Sequence, residues 1–450
     1  MAIPVRSDHP AADTGFFGHP RGLSTLFFTE MWERFSYYGM RAFLILYMVA
    51  PAATGGLGLS DVRAASIYGT YTGSAWAATI LGGLIADRVL GQYRTVLIGG
   101  ILIALGHFTL AFKTMPFFYS GLGLIAFGTG CLKPNVSTLV GSLYAQGDTR
   151  RDAGFSVFYM GINLGAFMGP IIAGYLAQRV GWHIGFACAG VGMTFGLLQY
   201  ILGRQRLTEG IERLARQQTA GASVAQTSTA SRGGFTATEW KRMAAIVILF
   251  LAASLFWGAY EQAGSTLNLF GDRYTRLDVM GFSFPSSWFV SAQAIFVWML
   301  APVFGWIWVK LGSREPSVPA KFAISLVFMG AAFLILVPAG SMAQSAAGVR
   351  VSPFWLLTAY FVSVLGELCL SPVGLSAVTK LAPARIVGLM MGVWFLSNAL
   401  GNKIAGTTAG FISSMPLTQL FGNVAMALFA AAIVMFVLVK PIKSLMSGVK

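Results

Sequence analysis

Twelve apolar stretches, each long enough to cross a bilayer as one helix, recur along the chain at about 22–50, 61–87, 93–114, 117–143, 153–179, 183–204, 239–270, 285–311, 317–340, 352–380, 385–412 and 418–440. Lipid gives an open backbone no hydrogen-bond partner, so spanning segments must be helices or a closed barrel, and runs this long and continuous select helices. The predicted fold is an all-α polytopic membrane protein. Only 10% of the 450 residues are charged, against about 25% in a soluble domain. The formal charge of +15 would suggest nucleic acid if the chain were soluble. Here it reads as basic loops gathered on one side of a bilayer, with no nucleic-acid partner.

Composition changes between 204 and 239, where Gly203-Arg204-Gln205-Arg206-Leu207-Thr208-Glu209 leads into a Gln/Thr/Ala/Ser-rich tract. This is expected to be a polar linker, in part disordered. The chain then divides into an N-terminal segment (1–21), a six-helix half (22–204), the linker (205–238), a second six-helix half (239–440) and a tail (441–450). Arg88, Arg94, Arg150, Arg151, Arg204 through Arg242, Lys310, Arg314, Lys380, Arg385, Lys440, Lys443 and Lys450 fall on one side; Arg63, Lys113, Arg179, Arg273, Arg276 and Arg350 fall on the other. Both termini and the linker are therefore expected to be cytoplasmic. Residues 1–20 lack the charged-then-apolar pattern of a cleaved signal, so the first helix should stay in the mature protein. The cysteines (Cys131, Cys188, Cys369) and histidines (His9, His19, His107, His183) are scattered without metal-ligand spacing, so no metal is expected.

Against this apolar background, ionisable residues stand out because each costs roughly 2.5–3.5 kcal/mol to insert. The first span carries Glu30, Glu33, Arg34 and Arg41 with Tyr37 and Tyr38, and helical spacing puts them on one stripe. Lys133 lies in the fourth span, twenty residues after Lys113 and seventeen before Arg150, too deep to reach either surface easily. Tyr159 and Asn163 share a face of the fifth span. Glu261 in the seventh span comes nineteen residues after Arg242, and Arg41 comes twenty after Arg21, so the two lie at one depth in the outer half. Glu367 in the tenth span is level with Lys133, and Trp394, Ser397 and Asn398 in the eleventh are further candidates for a cavity wall. No nucleophile–base pair is apparent, and the charges are split between the halves, so an embedded enzyme is disfavoured.

The segment Gly82-Gly83-Leu84-Ile85-Ala86-Asp87-Arg88-Val89-Leu90-Gly91-Gln92-Tyr93-Arg94 resembles the helix 2–helix 3 signature of the major facilitator superfamily. Its glycines permit close helix approach, and Asp87, Arg88 and Arg94 are expected to form an ion-pair cluster locking the helix ends. A fainter echo at Lys310-Leu311-Gly312-Ser313-Arg314 fits two repeats of one design. Glu30-xx-Glu33-Arg34-Phe35-x-Tyr37-Tyr38-Gly39, this loop, Lys133, Phe158-Tyr159-xx-Ile162-Asn163-x-Gly165, Glu261-Gln262-Ala263-Gly264 and Glu367 come in the order found in the proton-dependent oligopeptide transporters (POT, or PTR2), which the chain resembles over nearly its whole length.

The resemblance implies a major facilitator fold, twelve helices in two six-helix bundles around a central cavity, and symport of di- and tripeptides with protons. It implies a bacterial inner-membrane protein with no cofactor beyond the coupling proton, working as a monomer in the lipid bilayer. Glu30, Glu33 and Arg34 inherit proton coupling; Arg41 and Lys133 would receive the peptide carboxylate and Glu367 the amino group; Tyr37, Tyr38, Tyr159 and Asn163 would line the site. Two positions depart from the family: Trp76 stands where a tyrosine is usual, and Gln293 where asparagine is common. Many bacterial relatives insert two helices between the halves, but the linker has no apolar run of that length.

From the residues themselves, a zwitterionic peptide needs a cationic and an anionic pole, and here they come from opposite halves. Arg41–Glu261 is expected to close the outer side and Lys133–Glu367 to constrain the inner side, each released by protonation of its acid, with Glu261 thereby part of the coupling. The nearest rival is a proton-coupled carrier of another small solute, such as nitrate or a peptide-like drug.

Overall fold

The computed structural model describes residues 13–145, 148–227, 235–345, 349–383 and 386–446. Residues 1–12, Arg385 and Lys450, which entered the reading of the termini and orientation, lie outside the described residues. The first six crossings are α1 (Arg21–Val49), α2 (Asp61–Ile85), α3 (Gly91–Leu110), α4 (Met115–Ser142), α5 (Arg151–Gly169) continued by α6 (Tyr175–Arg179), and α7 (Trp182–Leu202). The second six are α9 (Ala237–Tyr260) continued by α10 (Thr266–Tyr274), α11 (Phe289–Leu311), α12 (Val318–Ser345), α13 (Pro353–Leu381), α14 (Val387–Ala409) and α15 (Leu417–Leu445).

Among the described residues, nine helical runs are long and apolar enough to cross a membrane. One of these, Asp61–Leu110, has 50 residues, about 75 Å of helix and so two crossings. Between them a π turn over Ala86–Leu90 ends at Gly91, whose φ of 73° a side chain would resist, and α3 starts there. Helix α1 falls outside the nine because of its charges, and α14 because Asn398, Asn402 and Lys403 dilute it.

The linker departs from its sequence reading. Residues Arg204–Thr227 form a helix, α8, which lies against α4, α1, α3 and α7. Leu207 is buried in the apolar cluster with Leu23, Leu139 and Val140, and Arg213 donates to the Ser142 carbonyl. The polar tract disguised an amphipathic helix, because only one face needs apolar residues to dock. A second element unannounced by hydropathy is a two-strand hairpin between α10 and α11, β1 (Asp278–Val279) with β2 (Phe282–Ser283). Its two-residue turn places Met280 and Gly281 at φ 51° and 82°, the left-handed pair that such a tight hairpin requires.

Within the first half α1 is central, packing on α5, α7, α2 and α4; in the second, α12 packs on α13 and α15, and α9 on α14. The halves meet through α2 against α14, α5 against α11, and α1 against α10. Hydrogen bonds joining them cluster on the face opposite α8, here called the distal face. Arg273 grips Asp61 with both nitrogens at 2.6 and 2.7 Å. Gln178 Nε2 donates to Ser286 at 2.9 Å and Arg179 to Ser283 at 2.7 Å. Ser291 donates to the Phe167 carbonyl at 2.8 Å, and Asn268 to that of Ala42 at 2.7 Å. The molecule is sealed distally.

Candidate functional site

Helix α1 reaches its polar stripe after two turns of apolar residues and buries every member of it but Tyr38. Arg34 is the hub. Its Nε lies 3.2 Å from Glu30 Oε1 and also donates to Glu33 Oε2, with all three residues no more than 2% exposed. Among the described residues, Glu30 Oε2, Glu33 Oε1 and Arg34 Nη2 have no hydrogen-bond partner. Two carboxylates thus share one guanidinium with capacity left over. Such a cluster can accept a proton without dismantling a complete network. The guanidinium carbon of Arg34 also lies 5.2 Å from the Tyr37 ring and 5.8 Å from that of Tyr38.

Two turns further along α1, Arg41 crosses to the other half. It donates to Glu261 Oε2, reaches the Glu261 carbonyl at 3.3 Å, and its Nε donates to Tyr68 Oη at 2.5 Å. Glu261 can meet it because a 3-10 turn, Glu261–Gly264, breaks the seventh crossing between α9 and α10 at this depth. The distal pair expected from the sequence is therefore formed.

The pair expected nearer the linker is not formed in this conformation. Lys133 and Glu367 make no ion pair with each other. Instead the Lys133 ammonium lies 3.2 Å from the centroid of the Trp76 ring, and Glu367 accepts a hydrogen bond from Tyr260 Oη at 2.5 Å. Each charge has found a neutral partner on its own half, which the sequence could not rank against the opposite charge. The two poles remain apart, one on each half.

Other predicted residues divide. Tyr159 is 43% exposed on α5. Asn163 is buried and its amide donates to the Tyr159 carbonyl at 3.0 Å. Gln293 is buried beside Tyr260 and Tyr360 around a small cavity within the second half. Asn398 is buried, its carbonyl accepting from Asn402 at 2.9 Å. Trp394 is 4% exposed and packs on Phe322, with ring centroids 6.2 Å apart, inside the second half. Its neighbour Phe395 stacks with Trp76 across the halves at 6.1 Å and 26°.

The loop reading also changes. Asp87 accepts from Gln92 at 3.0 Å, while Arg88 and Arg94 are exposed and make no ion pair with it. The π turn between α2 and α3 brings Asp87 to Gln92 rather than to either arginine. Gly82 does permit close approach: a Cβ there would overlap the Gly130 carbonyl of α4. Tyr68, Tyr260 and Phe395 were not singled out from sequence, though Tyr68 and Tyr71 share a face of α2 at i, i+3.

The PTR2 family model, described as POT family, matches residues 93–211 and 211–427. The chain is 41% identical to the uncharacterized transporter YclF of Bacillus subtilis, over 97% of this chain and 96% of that one. It is 39% identical to the peptide transporter YePEPT of Yersinia enterocolitica, over 96% of each chain. Among solved structures it resembles a mutant of peptide transporter POT in complex with alafosfalin, at 40% identity and a TM-score of 0.87, covering 97% of this chain and 98% of that one.

Proposed function

The chain belongs to the POT family, and from that membership we propose that it imports di- and tripeptides together with protons by alternating access. The observation that carries the reading is the asymmetry of the two cross-half pairs: Arg41–Glu261 is made on the distal side, while Lys133 and Glu367 stand apart. This is the arrangement of a carrier closed on one side and ready to exchange substrate on the other.

In this scheme the peptide carboxylate binds Lys133 and Arg41, its amino group binds Glu367, and Tyr37, Tyr38, Tyr159, Asn163, Gln293 and Asn398 bound the site. Specificity rests on the two termini, so varied side chains are tolerated. Glu30, Glu33 and Arg34 carry the coupling proton, with Glu261 releasing Arg41 when protonated. Each acid's proton affinity depends on whether its cation is beside it, and the cations change partners as the halves rock. One proton moving across ~100 mV supplies ~2.3 kcal/mol, enough for nearly fiftyfold accumulation.

The linker face is assigned to the cytoplasm, because the basic residues gather there. The protein then sits in the inner membrane of a bacterial cell with both termini inside, and acts as a monomer. The deciding experiment is uptake of a dialanine-type peptide by proteoliposomes with and without an imposed pH gradient. Accumulation only with an inward proton gradient is expected. Equal uptake in both conditions, or no competition by unlabelled dipeptide, overturns the proposal. N-acetylation should abolish competition, because it removes the amine that Glu367 would hold.

A further inference from the structure

We propose that Trp76 is a positioning residue for Lys133, its indole face holding the ammonium where the carboxyl end of a substrate must meet it. The inference rests on Lys133 being the carboxylate site of the reading above. Lys133 is a cation deep in α4 with three N–H donors, and among the described residues no carboxylate forms an ion pair with it. The acids of the α1 stripe, Glu30 and Glu33, are both engaged by Arg34, and Glu367 is held by Tyr260. What the ammonium touches is the Trp76 face, at 3.2 Å from the ring centroid.

That contact differs in kind from an ion pair. An indole face draws a cation without neutralising it, so the N–H donors turned away from the ring stay available to an arriving carboxylate. Tryptophan has the strongest such face of the aromatic side chains. The ring is itself oriented, because Phe395 from the other half stacks with it at 6.1 Å and 26°. Trp76 is therefore a shelf that keeps Lys133 oriented and unspent, and it touches α14 of the opposite half.

A shelf and a mere wall make different demands on substrate. If Trp76 acts through Lys133, its loss should weaken binding only of peptides with a free C-terminal carboxylate. If it is a wall, an amidated peptide should suffer equally. The test is KM and maximal rate for alanylalanine and for alanylalanine amide in proteoliposomes carrying the full chain. The variants are Trp76→Leu, Trp76→Phe, and tryptophan at 76 replaced site-specifically by singly to triply fluorinated tryptophan, which keeps the shape and drains the face of charge.

Trp76→Leu is expected to raise KM for the free acid about tenfold, and Trp76→Phe two- to threefold. The fluorinated series should climb stepwise, with KM for the amide within twofold throughout and maximal rates little changed. Should Trp76→Leu fail to fold, the fluorinated series decides alone. A parallel rise for acid and amide, or a fluorinated series with no trend, overturns the inference while leaving the peptide reading standing. Wild-type protein that does not prefer acid over amide removes Lys133 as the carboxylate site, and that reading fails with it.

Discussion

Arg34 serves two carboxylates with one guanidinium, and the consequences can be tested residue by residue. Glu33→Gln leaves Arg34 and Glu30 as a simple pair with no second acid to trade the proton. Uptake driven by a pH gradient should fall at least tenfold, while counterflow exchange, which needs no net proton movement, stays near wild type. Loss of both would make Glu33 a folding or binding group instead. Tyr260→Phe removes the hydroxyl that orients Glu367, and a hydrogen bond to a charged group is worth about 1.5–3 kcal/mol. KM for a free-amine dipeptide should rise roughly tenfold, with N-acetylated peptide remaining a non-competitor. The sequence announced Glu33, Arg41, Lys133 and Glu367 because a charge at lipid depth is costly wherever it stands. It was silent on Tyr68, Tyr260 and Phe395, because a tyrosine or phenylalanine in an apolar run costs little and carries no flag. Trp394 and Phe395 illustrate the remaining blind spot: adjacent helical positions differ by about 100° in direction, and only packing decides which one meets the opposite half.

Helices were legible where their apolar period was long, and obscured where it was not. All of the crossings fall near their hydropathy limits, yet α8 was hidden in a polar tract because a helix docked by one narrow face needs few apolar residues. Leu207 is the centre of that face, at 1% exposure. Leu207→Asp would bury an unpaired charge, at a cost of several kcal/mol, so α8 should leave the bundle. Amide hydrogen exchange over 204–216 is then expected to accelerate by more than a hundredfold, with the crossings of the first half unchanged. The Asp61–Arg273 contact could not be read from sequence either, since its partners are 212 positions apart and each sits where a loop charge needs no explanation. It clasps the start of α2 to the end of α10. Asp61→Asn should loosen the distal seal, seen as a larger population of long distances between spin labels on the distal loops of the two halves. An unchanged distance distribution would make it an ordinary surface pair.

At the scale of the molecule, the partition into two halves was readable from hydropathy and the linker, but the conformation was not. Which face is closed depends on cross-half contacts that balance within a few kcal/mol, and no periodicity encodes such a balance. One of these contacts is purely steric. Gly69 of α2 and Gly406 of α14 meet backbone to backbone across the halves, and a Cβ on Gly406 would lie 2.6 Å from Gly69 Cα and 2.7 Å from the Ala65 carbonyl. Both obstacles are main chain, so no side chain can swing away. Gly406→Val should therefore oppose distal closure while leaving the distal-open state untouched, where the helices have parted. An overlap costing about 1–3 kcal/mol in one state alone shifts the equilibrium some 5–150-fold. Uptake should collapse, because the cycle must pass through the distally sealed state, while peptide binding from the distal side of right-side-out vesicles survives. Spin-label distances across the distal face should lengthen in the same preparation. If Gly406→Val binds and transports normally with unchanged distances, α2 and α14 do not form the distal seal, and the rocking of one half against the other must be hinged elsewhere.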